Sequence, residues 1–150
     1  MILWRISNYA DLHGTGGLRG SARWHTRGHP IVYLAETPSA AMLEILVHLE
    51  IDKDDLPTTY KLLRAKGDNT ILFGTVEPAT LPGDWKNQLP LTRGIGDEWL
   101  AKGETALLRV PSAIMPETWN WLLNPRHSDA ARLHIASIST HGYDARLFEK

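Results

Sequence analysis

Seven apolar, strand-length runs, each ended by Gly, Pro, Asn or Asp, punctuate this chain and constrain its fold more than any other feature. They lie at Ile2–Ile6, Ile31–Ala35, Tyr60–Ala65, Ile71–Val76, Ala106–Val110, Trp119–Leu123 and Leu133–Ile138. A further short strand is expected at Asp144–Phe148. Strands dominate, and two stretches are helical. In the first, Thr37 is placed to cap, Pro38 occupies the first helical position, and Ser39 to Leu49 holds no breaker, so a helix should run to near Glu50. The second, Asp97–Lys102, is stopped by Gly103, and Pro78–Leu91 reads as the longest irregular segment. No repeat or linker divides the chain. A single compact α+β domain over residues 1–150, with a mostly antiparallel sheet, is the expectation.

Composition narrows the chemistry. With no cysteine, disulfides, thiolate metal sites and cysteine nucleophiles are excluded. A formal net charge of -1 lacks the basic excess that phosphate-backbone binding needs, so direct nucleic-acid binding is not expected. The opening apolar run is too short for a membrane span or a signal core, which points to a cytoplasmic protein. Six tryptophans exceed what a core of this size needs, and tryptophan anchors interfaces, so a protein partner or self-association is expected.

Three regions carry residues suited to chemistry. Gly14 to Trp24 is glycine-rich and holds Arg19 and Arg23, with Arg27 just beyond. It lacks the Lys-Ser/Thr ending of a P-loop and the strand-then-helix context of a dinucleotide fingerprint, and a surface loop with solvated arginines is the plain alternative. The helix after Pro38 is apolar on nearly every side, as for a buried helix, yet carries Glu44 at its middle. Ala40 and Ala41 leave room beside that carboxylate and His48 lies one turn on, so an ordinary Glu44–His48 surface pair is the alternative to a ligand site. In the third, the strand through Leu107–Val110 stops at Pro111 and presents Ser112, without the glycine elbow of a serine nucleophile. His25 and His29 sit in a loop without a metal-binding pattern, so no metal site is expected.

The segment RGSARWHTRGHPIVYLAETPSAAMLEILVHL, followed by GDEWL, LLRVPSAI and LLNPRHSD, resembles the RES family, named for its Arg, Glu and Ser. The resemblance runs from Leu3-Trp4-Arg5 to Asp144-Ala145-Arg146-Leu147. It places the family's arginine on Arg23, its tyrosine on Tyr33, its glutamate on Glu44 and its serine on Ser112; Asn124 also looks like a family position. Ser21-Ala22 alters the glycine-rich style of the loop before Arg23, so Arg19 or Arg27 is a possible helper.

The resemblance implies a fold similar to the ADP-ribosyltransferase toxins and a toxin that depletes NAD by breaking its nicotinamide N-glycosidic bond, with NAD as substrate and no cofactor. It also implies an oligomeric complex with a Xre-type helix-turn-helix antitoxin that blocks the pocket. Chemically, Glu44 would stabilise an oxocarbenium-like ribose, Arg23 would grip the pyrophosphate with its planar fork, Tyr33 would stack on nicotinamide, and Ser112 would orient Glu44 or a ribose hydroxyl. Water, phosphate or a protein side chain are all open as acceptor. The alternatives are a protein ADP-ribosyltransferase, a non-catalytic nucleotide-binding subunit of a DNA-bound regulatory complex, and, third, a metal hydrolase.

Overall fold

The computed structural model describes residues 1–48 and 57–149. Seven strands form one sheet in the order β4-β5-β6-β2-β1-β3-β7. These are β1 (Ile2–Ile6), β2 (Val32–Ala35), β3 (Thr59–Gly67), β4 (Phe73–Thr75), β5 (Leu107–Pro111), β6 (Trp119–Leu123) and β7 (Leu133–Gly142). Every neighbouring pair is antiparallel except β4 with β5. The helices are α1 (Gly16–Arg19), α2 (Pro38–His48) and α3 (Leu89–Lys102). This is the α+β architecture expected from the strand-length runs.

Alternation along the strands sends side chains to two faces. One face carries Leu3, Val32, Leu34, Ala65, Leu107, Trp121 and Leu123, buried in a single cluster. The other is divided between two elements. α2 covers Ile6 and Ala35 through Ala41, while Trp24, Trp85 and Trp99 pack over Ile31, Leu108, Val110 and Leu122. The polar residues of interest lie on this divided face.

Several expectations need correction. Only Ala41 of α2 is buried, and Val47 is 51% exposed. The helix rests on β1 and β2 by one side and meets solvent with the other, so its apolar character does not mark burial all round. Its expected end near Glu50 lies outside the described residues. The chain from Asp144 to Phe148 is not a strand: Asp144 Oδ1 accepts from Arg146 N, and Ala145–Leu147 turns as a 3-10 helix. The second helix begins at Leu89, eight residues before the expected Asp97, so the supposed irregular loop is in part helical. Two 3-10 turns, Pro78–Thr80 and Trp85–Asn87, occupy much of the rest. Four of the six tryptophans, Trp24, Trp85, Trp99 and Trp121, are buried, so the core uses more of them than their number suggested.

Gly96 explains why α3 tolerates a poor helix former. A Cβ there would lie 1.6 Å from the carbonyl oxygen of Trp24. Only a bare backbone lets α3 approach the Trp24 turn that closely.

Candidate active site

The carboxylate of Glu44, near the middle of α2, reaches down to the sheet between two donors. Asn120 Nδ2 donates to Glu44 Oε1 at 2.7 Å, and Ser112 Oγ donates to the same oxygen at 3.1 Å. The β5–β6 hairpin supplies both: Val110 pairs with Asn120, and Ser112 follows two residues later on the same face. Ser112 Oγ also accepts from Ile114 N and Met115 N, each at 3.2 Å. With both acceptor positions filled, its one proton is directed at Glu44. Among the described residues no side chain hydrogen-bonds Glu44 Oε2, and His48 makes no bond to Glu44. The carboxylate is half-buried, tethered by one oxygen and open at the other. The surface Glu44–His48 pair is thereby replaced by a held carboxylate.

Tyr33 and Asn120 stand on the same face of adjacent strands, since Tyr33 pairs with Leu122 and Ala35 with Asn120. The Tyr33 hydroxyl accepts from Trp24 N at 3.2 Å and meets His25 Nδ1 at 2.8 Å. His25 Nε2 lies 2.9 Å from the carbonyl of Gly20, which can only accept. Nε2 therefore carries the proton, Nδ1 accepts, and the Tyr33 hydroxyl donates to it. Burial pushes the His25 pKa down, against the raising pull of the Gly20 and Gly17 backbone and of Asp97, which keeps the ring neutral for this role. Burial pushes the Tyr33 hydroxyl well up, only partly offset by the Trp24 N–H, so it stays protonated.

This chain of bonds fixes the turn that bears Arg23. Thr92 Oγ1 donates to the Arg23 carbonyl at 2.6 Å, and Arg93 Nε donates to the Ala22 carbonyl at 2.8 Å, so α3 clamps the turn from the other side. Asp97, also on α3, accepts from Thr26 N at 2.8 Å and Thr26 Oγ1 at 2.6 Å. Burial works against the Asp97 anion, but those two bonds hold its pKa below the ordinary carboxylate value. The Arg23 guanidinium lies 5.9 Å from the centre of the Trp85 ring, and its Nη1 donates to the Lys86 carbonyl at 2.9 Å. Lys86 Nζ stands 6.0 Å from the same ring. Among the described residues neither cation is paired with a carboxylate, an arrangement suited to an anion.

The structure thus brings Arg23, Tyr33, Glu44 and Ser112 to one face of the sheet. The other candidates make contacts of their own. Arg19 Nη1 donates to the Tyr9 hydroxyl at 3.0 Å. Arg27 is exposed and is held by its backbone N to Ser21 Oγ. Asn124 closes the opposite end of β6, buried, its Oδ1 accepting from Arg126 N at 3.1 Å, which makes it a turn-former at a distance from Glu44. Sequence reasoning missed Asn120, Trp85 and Lys86. The signal for Asn120 was a polar residue at an inward position of an otherwise aromatic and aliphatic strand, Trp-Asn-Trp-Leu-Leu.

Two other features bear on function. A groove lined by Ile6, Met42, Leu46, Tyr60, Leu62 and Leu147 runs along the other flank of α2 and offers little polar chemistry. Among the described residues no group of three or more His, Asp or Glu side chains is placed to hold a metal, and no helix is long and apolar enough to cross a membrane.

Fold and site together define a small α+β domain with a carboxylate tethered from the sheet by Ser112 and Asn120 and an arginine turn clamped by α3. The chain belongs to the RES domain family, whose profile matches residues 2–145. It is 53% identical over 148 residues to a Pseudomonas putida protein named Toxin Res, covering 99% of this chain and 100% of that one. It is 34% identical over 158 residues to a Sphingobium sp. protein named Prs ADP-ribosylating toxin, covering 98% and 96%. Among solved structures, the M. tuberculosis MbcT-MbcA toxin-antitoxin complex contains a chain of the same fold, with a TM-score of 0.76 at 18% identity, covering 99% of this chain and 87% of that one.

Proposed function

We propose that this chain is the toxin of a toxin–antitoxin pair and acts by cleaving the nicotinamide N-glycosidic bond of NAD. The observation that carries the chemistry is Glu44, held through Oε1 by Ser112 and Asn120 with Oε2 left free. As the bond from ribose C1′ to the nicotinamide nitrogen breaks, its electron pair goes to the nitrogen and positive charge develops on the sugar. A fixed anion beside that sugar favours the transition state over the ground state. Nicotinamide leaves neutral, so no general acid is required.

Arg23, resting near Trp85 and tied to the Lys86 carbonyl, holds the pyrophosphate. Tyr33 supplies the wall against which nicotinamide rests, while its hydroxyl keeps the arginine turn in place. NAD is the substrate, and no cofactor or metal takes part. An oxygen of water or of inorganic phosphate forms the new bond to C1′ as the bond to nicotinamide breaks; water releases its proton to solvent and yields ADP-ribose, and the phosphate dianion yields the phosphorylated form.

The name carried by the P. putida relative supports the toxin reading, and the complex in which the structural neighbour was solved supports an antitoxin partner. That partner is a Xre-type helix-turn-helix protein that covers the site in the cytoplasm. A second reading, transfer of ADP-ribose to a protein side chain, is favoured by the name of the Sphingobium relative. The test is induction of the wild-type chain and of Glu44→Gln in a bacterial host, with NAD and growth followed together. NAD falling before growth stops, in the wild type alone, supports free NAD cleavage. Growth arrest with NAD intact moves the activity to a protein acceptor.

A further inference from the structure

Asn120 is assigned by neither the family motif nor the relatives' names, and its surroundings are unusual. Its Nδ2 makes the shortest bond to Glu44, at 2.7 Å, whereas its Oδ1 is buried without any partner among the described residues. The orientation of the amide is fixed by chemistry, because the carboxylate oxygen accepts and only the NH₂ end can donate to it. A buried amide oxygen left unmatched is a burden on folding. It sits in the sheet between Ala35 of β2 and Val110 of β5, positions where an apolar side chain would pack without that burden.

We infer that Asn120 is a positioning residue for the Glu44 carboxylate, retained against stability so that Oε1 is occupied from the sheet and Oε2 is turned to the substrate. This rests on the proposed role of Glu44 and adds to it the residue that aims it. Ser112 and Asn120 divide the task. Ser112 comes from the end of β5, with its proton directed by the backbone donors of Ile114 and Met115. Asn120 comes from within β6 and supplies the shorter bond. Two donors on one oxygen fix both the place and the rotation of the carboxylate, which one donor does not.

Among the described residues the two side chains that hydrogen-bond Glu44 are these neutral donors, so exchanging the amide for an acid replaces the donor with a titratable group against the same oxygen. Asn120→Asp keeps the shape but sets a second carboxylate against Glu44, and the two must share a proton. Asn120→Ala removes the donor and the unmatched oxygen together.

The experiment combines three readings on the purified chain and both variants: the thermal midpoint, the titration of Glu44 followed by carbon NMR with labelled glutamate, and NAD turnover across pH. The inference expects Asn120→Ala to melt at or above the wild-type temperature and to lose about 30-fold or more in kcat with little change in KM. It expects Asn120→Asp to move the Glu44 titration, and with it the acid side of the activity profile, up by about one pH unit or more. A lowered midpoint for Asn120→Ala with kcat preserved makes Asn120 a structural residue and overturns the inference. An unchanged Glu44 titration in Asn120→Asp overturns it as well, whatever the activity. If the wild type does not turn over NAD, the proposed function fails on that reading, while the Glu44 titration still decides whether Asn120 controls the carboxylate.

Discussion

The Tyr33 hydroxyl and His25 Nδ1 stand 2.8 Å apart, and the tautomer fixed at the other side of the imidazole makes the tyrosine the donor. A strand residue thereby holds a loop residue, and the loop residue beside it, Trp24, donates its own N–H to the same hydroxyl. Removing that hydroxyl in Tyr33→Phe leaves two buried groups unmatched with the ring still packed. We predict a loss of about 1–3 kcal/mol in chemical denaturation and weaker NAD binding, since the Arg23 turn loses its anchor. Unchanged stability would show that the bonds are not formed in solution.

The same pair predicts a pH dependence. His25 has a lowered pKa in the folded state, so below the ordinary histidine value of about 6.5 the unfolded chain takes up a proton that the folded chain refuses. Stability should therefore be full above about pH 6.5 and fall as the pH drops from there toward the folded-state pKa. Asp97, also lowered, adds a separate loss only when the pH falls below the ordinary carboxylate range. Denaturation midpoints between pH 7 and pH 5 check this, with His25→Gln as the control that flattens the slope.

At Arg23 the fork matters as well as the charge. Arg23→Lys keeps a cation near Trp85 but not the planar donor pair, and should weaken NAD binding about 10-fold; Arg23→Ala should weaken it about 100-fold. Both variants should keep the wild-type melting temperature within a few degrees, because the turn is held by its backbone through Thr92 and Arg93. Equal affinities for the two variants, read by calorimetry with the Glu44→Gln background to prevent turnover, would remove Arg23 from the pyrophosphate.

Gly96→Ala tests how α3 supports the site from behind. The added methyl meets the Trp24 carbonyl oxygen at 1.6 Å, so helix and turn must separate. A destabilisation of about 1–3 kcal/mol or more is expected, with NAD affinity falling in the same variant. Gly94, whose Cβ would meet nothing within 4 Å, is the control position, where alanine should leave binding unchanged.

What the sequence disclosed and what it hid follow from the range of each interaction. β1, β2, β5 and β6 were legible because apolar residues concentrate in short runs between breakers, and α2 because Thr37 caps it, its Oγ1 accepting from Ala40 N at 3.0 Å. α3 was half hidden, since Gly94 and Gly96 look like breakers until Trp24 is seen against Gly96. Arg23, Tyr33, Glu44 and Ser112 were singled out through their motifs, and of these Glu44 and Ser112 are joined by a hydrogen bond. The bonds that give Glu44 its geometry join residues 68 and 76 positions apart, a separation at which no local pattern signals contact. Asn124 drew notice in a motif and holds Arg126 N in a turn, whereas Asn120, which no motif marked, is tied to the carboxylate.

The central claim is that Glu44 drives cleavage of NAD. Its most direct test is to incubate the purified chain with NAD, with and without phosphate, beside Glu44→Gln, and to identify the products by mass spectrometry. The account predicts nicotinamide from the wild type alone, with ADP-ribose or its phosphorylated form naming the acceptor. NAD left intact by the wild type, or nicotinamide released equally by Glu44→Gln, would contradict it.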